Sequence, residues 1–247
     1  CVFICTPNFT HMEIALAVAN RTKIVFVEKP GVKDAAQWTN LVNSHPNTRF
    51  MMVKNNQYRE NFDTFKSLAN NASSVDIRWV NFDRVPNPGT WFTTKDLSYG
   101  GVSRDLMPHL LSMVTALYPS VMDECYVTKK DLKQCWKLED VSTTTYGTVN
   151  KDGVYNVDDY ARYEMKLGHT NITLTAEWRN KKTEDQCIQF LMKPANNLLH
   201  YELGLCPEEA YAKMIQTALD NISNKDFWQE QLRQDAWIHR MVETDEK

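Results

Sequence analysis

The spacing of apolar residues changes once along this 247-residue chain, near residue 71. Up to that point, short continuous apolar runs at residues 1–5, 23–28 and 50–53 alternate with amphipathic segments at residues 11–20, 33–44 and 58–70. Continuous apolar runs are typical of parallel strands that are covered on both faces. The order strand-helix, repeated three times, therefore predicts a right-handed, parallel α/β arrangement.

Beyond residue 71, apolar and polar residues alternate with a period of two. The alternating segments are residues 74–83, 125–129, 142–149, 159–167, 171–178 and 186–192. This pattern predicts a large, mainly antiparallel open sheet with one wet face. Helical patterns cover residues 105–117, 207–222 and 225–242. We therefore expect an α/β domain over residues 1–71 and an α+β domain over residues 72–247, with the last helices free to pack back on the first domain.

Composition excludes several classes of protein. Hydrophobic residues make up 43% of the chain, which excludes disordered and fibrous proteins. The net charge of −3 gives no electrostatic reason to expect a nucleic acid or an anionic membrane as a partner. No apolar run approaches the roughly 20 residues of a membrane-spanning helix. The six cysteines form no C-x-x-C pair and no cluster with histidines, so we predict no metal site and favour a reducing, cytoplasmic setting.

Two loops follow predicted parallel strands, where open α/β sheets bind their ligands. The first loop runs from Thr6 through Pro7 and Asn8 to His11. The second begins with Glu28-Lys29-Pro30, which places a lysine where its ammonium group is partly desolvated and can polarise a substrate oxygen. Each loop also has a simpler interpretation, since Pro and Asn are ordinary turn formers and a charged strand end is a common return to solvent.

The third candidate element is the helix predicted from Asp105. Asp105 is placed to cap this helix, because Pro108 then falls in the first turn, where proline is tolerated. His109 lies four residues on and shares its face. A carboxylate and an imidazole so arranged can act as an orienting group and a general base. The alternative is a capping aspartate beside a histidine that is simply hydrogen-bonded.

Taken together, these elements resemble the Gfo/Idh/MocA family of NAD(P)-dependent sugar and polyol oxidoreductases. The family motif T-P-x-x-x-H falls on Thr6, Pro7 and His11, E-K-P falls on residues 28–30, and D-x-x-x-H falls on Asp105 and His109. Residues 91–95 and 56–59 are similar to the family's segments before that helix and after the third strand. The resemblance implies a partial Rossmann-type parallel sheet followed by the mainly antiparallel domain.

The same resemblance implies roles for individual residues. Lys29 would hydrogen-bond the reacting oxygen, His109 would be the general acid or base, and Asp105 would orient the substrate or tune His109. NAD or NADP would be lined by Thr6, Pro7, Asn8, His11, Glu28 and Lys29. Trp91, Arg104 and Met107 are candidates for the substrate side, although Trp91 also fits core packing and Arg104 a solvated charge. The substrate would be a sugar, polyol or sugar derivative.

The chain also departs from the family pattern. It has eight glycines and no G-x-G, begins with Cys1 on an apolar run, and has Met107-Pro108 where smaller residues often precede the histidine. We therefore expect a chain that starts within the Rossmann domain and lacks its phosphate-binding loop. Weak dinucleotide binding follows, and submicromolar NAD(P)H affinity in calorimetry would contradict it.

Two alternatives to an enzyme remain open from the residues alone. The first is a non-catalytic sugar- or nucleotide-sensing regulatory protein of the same fold, and the second is an unrelated α+β domain with chance motifs. We expect a small-molecule substrate as partner and a homo-oligomer formed through the open sheet, whose outer face needs either water or a second copy. Neither the choice of NAD or NADP nor the direction of reaction follows from these residues.

Overall fold

Two β-sheets organise the part of the chain that the computed structural model describes, residues 1–141 and 146–243. The first sheet is parallel, with strand order β1-β2-β3. Its strands are β1 (Val2–Ile4), β2 (Ile24–Val27) and β3 (Arg49–Met52). The helices that alternate with them are α1 (His11–Val18), α2 (Ala35–Ser44) and α3 (Phe62–Ala69). All four residues of the central strand β2 are buried, as the continuous apolar run predicts.

The second sheet has six strands in the order β5-β6-β7-β4-β8-β9. They are β4 (Ala72–Val80), β5 (Tyr126–Lys133), β6 (Tyr160–Leu167), β7 (Thr170–Glu177), β8 (Asp185–Met192) and β9 (Asn197–Glu202). Every neighbouring pair is antiparallel except β4 and β7, which run parallel. The predicted fold class, a parallel α/β sheet followed by a mainly antiparallel sheet, is confirmed.

Helix α6 fills the space between the second sheet and the C-terminal helix. The remaining helices are α4 (Lys95–Ser98), α5 (Val102–Asp105), α6 (Met107–Leu117), α7 (Glu208–Asp220) and α8 (Lys225–Val242). Helix α6 is buried on nearly every side, and it contacts β4 and β7 on one side and α8 on the other. Helix α8 in turn contacts α2 and β3. These two helices therefore fix the position of one sheet relative to the other.

The helix predicted over residues 105–117 is α6, which begins at Met107, and Asp105 does not cap it because Asp105 is the last residue of the preceding helix α5. Helix α5 starts at Val102, and the cap comes from Asp158, whose carboxylate accepts hydrogen bonds from the backbone N–H of Gly101 at 3.1 Å and of Ser103 at 2.7 Å. A Cβ atom at Gly101 would lie 1.7 Å from the carbonyl oxygen of Asp158. Glycine is therefore required for this close approach, and Asp105 is left free for other partners.

One strand prediction needs correction, and one strand of the structure has no counterpart among the predictions. Of the strand predicted over residues 142–149, residues 142–145 lie outside the described part, and residues 146–149 form no strand because they pair with a loop. Asn87 N–H donates to the Tyr146 carbonyl at 3.1 Å, and Thr148 N–H donates to Asn87 Oδ1 at 3.0 Å. Strand β9 was not predicted, because the adjacent Leu198 and Leu199 interrupt the alternation.

Within the described ranges, no helix combines the length and the apolar character needed to cross a membrane.

A fully buried ion pair attaches helix α8 to the first sheet. Lys54, just after β3, pairs with Asp235 of α8, and both side chains are 0% exposed. The second carboxylate oxygen of Asp235 accepts the backbone N–H of Met52 at 3.0 Å. A buried pair of this kind contributes little net stability while it is intact, but the removal of one partner leaves a charge that nothing in the site compensates.

Asp235→Ala should therefore lower the free energy of unfolding by about 3–5 kcal/mol, because Lys54 remains buried without its counter-ion. The control is Asp63→Ala, which removes the carboxylate of the exposed pair with Lys66 and should cost less than ~1 kcal/mol. Urea unfolding, with the midpoint and slope fitted separately, measures both. Equal losses in the two variants would contradict the structural importance of the buried pair.

Candidate active site

A cavity of about 770 Å³ opens where the loops after β1 and β2 meet the start of helices α5 and α6 and the end of β4. Nine of the residues singled out in the sequence line it: Thr6, Pro7, Asn8, Glu28, Lys29, Trp91, Arg104, Asp105 and His109. They come from four separate segments of the chain, residues 6–8, 28–29, 91 and 104–109. The structure therefore brings the three candidate catalytic side chains, Lys29, Asp105 and His109, to one cavity.

Lys29 and Asp105 form an ion pair across the junction between the two sheets. The ammonium of Lys29 contacts Asp105 Oδ1, and the side chains are 18% and 13% exposed. The other carboxylate oxygen accepts the indole N–H of Trp178 at 2.7 Å, so both oxygens of Asp105 have partners. An ammonium group has three N–H donors, and the pair with Asp105 leaves donors of Lys29 for a ligand.

Both members of this pair are charged near neutrality. Burial alone would lower the pKa of Lys29, but the negative charges of Asp105 and Glu28 more than offset it and raise the pKa above its ordinary value. Burial would raise the pKa of Asp105, but the ion pair with Lys29 and the hydrogen bond from Trp178 lower it. A protonated lysine is therefore held in the cavity by an ionised carboxylate.

His109 is neutral in this site. Burial lowers its pKa to about 3, and the positive charge of Lys29 contributes to the decrease. Its ring stacks on Trp79, with centroids 5.9 Å apart and an angle of 24° between the planes. Nδ1 is buried and has no hydrogen-bond partner among the described residues. Within the described chain, Asp105 and His109 therefore do not form the hydrogen-bonded pair that the sequence predicts. Asp105 acts on His109 through its charge, and Trp79 fixes the plane of the ring.

Several of the predicted residues hold the loops in place. Asn8 Nδ2 donates to the Ser98 carbonyl at 2.8 Å. The guanidinium of Arg104, which is 5% exposed, donates to the Lys33 carbonyl at 3.0 Å. Each bond joins a loop of the first sheet to the segment that carries Asp105. Both side chains line the cavity and also fix its walls.

Two predicted residues do not line the cavity. His11 is buried behind the loops, where its ring nitrogens lie 2.7 Å from the Gly31 carbonyl and 2.8 Å from the Thr6 carbonyl. It therefore links the two loops from behind. Met107 is fully buried in the hydrophobic core, because the face of α6 on which it lies packs inside the fold.

The sequence reasoning missed other polar and aromatic groups of the cavity. Asn55 was not singled out, and Asn56 was named only as part of the family-like segment 56–59, without a role in the site. Both are buried, and Asn55 Oδ1 and Asn56 Nδ2 have no hydrogen-bond partner in the described chain. Trp79 could have been found, because it continues the inward-facing alternation of Val75 and Ile77 in β4. The cavity also includes Arg84, from the loop after β4, and Tyr146, from the segment over residues 142–149 that was predicted to be a strand.

Comparison with known proteins agrees with this geometry. Residues 1–54 match the model of the Gfo/Idh/MocA oxidoreductase family, which is described by its NAD-binding Rossmann fold. The match covers strands β1 to β3 and the two loops that carry Thr6, Glu28 and Lys29. NAD or NADP is the cofactor class of this family, and a relative and several solved structures extend the similarity to the rest of the chain.

The curated relative is an Amycolatopsis mediterranei protein named "Putative UDP-kanosamine synthase oxidoreductase subunit", which is 22% identical over 195 residues. The match covers 74% of this chain and 52% of the relative, so the chain spans about half the length of that protein.

Solved structures share the fold over nearly the whole chain. An NAD-binding oxidoreductase from Klebsiella pneumoniae has a TM-score of 0.73 and 14% identity, with coverage of 98% of this chain and 75% of its own. A 3-ketoreductase from Actinomadura kijaniata, solved with NADP and TDP-benzene, has a TM-score of 0.69 and 13% identity, with coverage of 96% and 76%. At this level of identity the similarity shows the fold.

The low pKa of His109 can be tested directly. Its imidazole should remain neutral between about pH 8 and pH 5 in histidine-detected NMR, since its pKa lies near 3 rather than 6.5. Lys29→Met should raise this pKa, because it removes a nearby positive charge and leaves Asp105 without its counter-ion.

The matched control is Lys33→Met, which removes an exposed lysine from the same loop and should leave the His109 titration unchanged. If His109 titrates near pH 6.5 in the unmodified protein, the site is more hydrated than the structure indicates and a neutral base is not enforced by burial.

Proposed function

We propose that the protein transfers a hydride between a nicotinamide cofactor and a hydroxyl or carbonyl group of a sugar, polyol or sugar derivative. The observation that carries this proposal is the convergence of Lys29, Asp105 and His109 on one cavity at the carboxyl ends of parallel strands. Open α/β sheets bind cofactors at this edge.

The residues at this edge suit the nicotinamide end of the cofactor. Asn55 and Asn56 line the cavity with one amide acceptor and one amide donor that no described residue uses. This pair is complementary to a carboxamide group, which offers one donor and one acceptor. Thr6, Pro7, Asn8, Glu28 and Lys29 would hold the cofactor on the other side. When bound, the cofactor supplies the hydride acceptor or donor that protein side chains lack.

Lys29 is the proposed ligand of the reacting oxygen. Its positive charge is maintained by Asp105, so it can stabilise the negative charge that develops on this oxygen as the C–H bond is made or broken. Trp178 holds the second oxygen of Asp105, and the ammonium is therefore positioned before a substrate enters. Such positioned charge favours the transition state over the free substrate.

His109 is the proposed general base for oxidation and the general acid for reduction. The neutral imidazole enforced by burial and by Lys29 can accept the proton of the substrate hydroxyl. In the reverse direction the imidazolium returns that proton to the new alkoxide. The negative charge of Asp105 raises the pKa of His109 and so partly offsets the effects of burial and of Lys29 on the imidazolium.

Names of related proteins support a sugar derivative as the substrate class. The Amycolatopsis relative is named for UDP-kanosamine synthesis, the Actinomadura structure is a 3-ketoreductase with TDP-benzene, and another similar structure is a levoglucosan dehydrogenase with NADH and levoglucosan. A purely sensing protein has no need of a charged lysine, an ionised carboxylate and a neutral histidine in one cavity. This observation favours an enzyme over the regulatory alternative.

The first test is turnover by the full-length gene product, followed by reduced-nicotinamide absorbance with a panel of sugars, polyols and nucleotide sugars. His109→Ala should lower kcat by about 10²- to 10⁴-fold, the usual contribution of a general base. Lys29→Ala should lower it at least comparably, because Asp105 then faces the substrate oxygen without compensation.

Matched controls separate these roles from general damage. His169→Ala and Lys33→Ala remove exposed residues of the same types outside the described cavity and should leave kcat unchanged. Circular dichroism should be preserved in all four variants, and cofactor binding should be preserved in His109→Ala and in both controls. Rates in His109→Ala and Lys29→Ala that equal those of the controls would overturn the assigned roles.

Two further expectations belong to this proposal. All six cysteines are free thiols in the structure, and Cys125 and Cys187 are buried, which supports a reducing, cytoplasmic setting. The homo-oligomer remains a prediction; the outer face of the second sheet carries cross-strand ion pairs such as Arg78 with Asp185, and light scattering distinguishes a single copy from a dimer.

A further inference from the structure

Arg84 is a cavity residue that the proposed chemistry leaves without a role. It lies in the loop that follows β4, and its backbone N–H is fixed by the Trp178 carbonyl at 2.9 Å. Its guanidinium group lies over the ring of Tyr146, with 5.2 Å between the guanidinium carbon and the ring centroid. Both side chains line the same cavity as Lys29 and His109. The flat face of the guanidinium is thus covered by an aromatic ring, which leaves its edge N–H groups for other contacts.

No carboxylate neutralises Arg84 within residues 1–141 and 146–243. The adjacent acidic residue, Asp83, lies 3.0 Å from the guanidinium of Arg179 instead. Two other arginines have partners in the described chain: Arg78 pairs with Asp76 and Asp185, and Arg104 donates a hydrogen bond to the Lys33 carbonyl. A guanidinium group in a cavity wall without such a partner is suited to a ligand that brings its own negative charge.

The other charges of the cavity also favour an anion. Lys29 and Asp105 compensate each other. Burial raises the pKa of Glu28, which makes its negative charge harder to maintain. Arg84 therefore contributes positive charge to the cavity that the described lining does not cancel, and a substrate is the remaining source of compensation.

We propose that Arg84 binds an anionic group, a carboxylate or a phosphate, of a sugar derivative whose reacting carbon lies at Lys29 and His109. This inference rests on the proposed function, since it assumes that the same cavity holds the sugar. A guanidinium group can donate two parallel hydrogen bonds to a carboxylate or phosphate, and the Tyr146 ring restricts its orientation before the ligand arrives. Arg84 would then select charged sugar derivatives over neutral ones.

The test is equilibrium binding by calorimetry to the full-length gene product in the presence of reduced cofactor. The probes are glucose, glucuronate, glucose 6-phosphate and UDP-glucose, which share a hexose and differ in the anionic group. At least one anionic probe should bind about tenfold or more tightly than glucose, as expected for a charge-assisted contact. The probe whose affinity exceeds that of glucose by the largest factor identifies the group as a carboxylate, a monophosphate or a diphosphate.

Variants of Arg84 test whether this residue causes the tighter binding of the anionic probe. Arg84→Gln should remove the gain for the anionic probe and leave glucose binding unchanged, whereas Arg84→Lys should retain part of it. The matched control is Arg21→Gln, which removes the same charge from an exposed position after α1, outside the cavity lining. Unchanged glucose binding in Arg84→Gln also shows that the variant is folded.

Three outcomes would overturn the inference: equal affinities for glucose and every anionic probe, a preference that survives in Arg84→Gln, or an equal loss in Arg21→Gln. Failure of the hydride-transfer proposal gives a different result, in which anionic sugars bind through Arg84 but no cofactor is oxidised or reduced. Conversely, turnover of sugars together with equal affinities for glucose and every anionic probe would contradict the role of Arg84 and support hydride transfer.

Discussion

The ion pair between Lys29 and Asp105 is the interaction on which the site depends. It joins the end of β2 in the first sheet to helix α5, which leads into α6 and packs on the second sheet. Burial of two charges costs desolvation free energy. The attraction between the charges offsets this cost only when the remaining hydrogen-bonding positions of both groups are also filled. Trp178 fills one of them by donating to Asp105 Oδ2. The same contact therefore aligns the two sheets and keeps a protonated lysine where a substrate oxygen can approach.

Helix α8 supports this pair from behind without lining the cavity. Asp235 anchors it to β3 through Lys54, and His239 accepts the backbone N–H of Val32 at 3.2 Å, three residues after Lys29. His239 Nδ1 lies 2.7 Å from the Asp235 carbonyl, and burial lowers the pKa of His239 to about 4. A neutral ring with its proton on Nδ1 is the form that can make both bonds. The loop that carries Lys29 is therefore held by groups far away in the sequence.

How much of this could be predicted from the sequence depends on the range of the interactions. The strands β1 to β3 and the fold class follow from local periodicity, and Lys29, Asp105 and His109 were found by their motifs. The capping of α5 by Asp158 and the burial of Met107 were missed, because both depend on contacts between distant segments. Arg84 had no periodic signal, since its significance comes from the partner that it lacks within the described chain. The division into domains at residue 71 stays a prediction.

The two cations Lys29 and Arg84 differ in how their charge is compensated. This difference suits Lys29 to the reacting oxygen and Arg84 to the binding of an anionic group. Asp105 cancels the long-range field of Lys29 while leaving N–H donors on the ammonium, so Lys29 can stabilise a developing alkoxide without attracting anions in general. Arg84 has an aromatic ring beneath it in place of a carboxylate, and its field therefore extends into the cavity. A negative charge close to the His109 imidazole would raise the pKa of His109. An anionic group that binds at Arg84 therefore leaves His109 neutral only if this group stays away from the imidazole. On the proposed binding mode, this electrostatic effect favours substrates whose charged group and reacting carbon lie at opposite ends of the sugar.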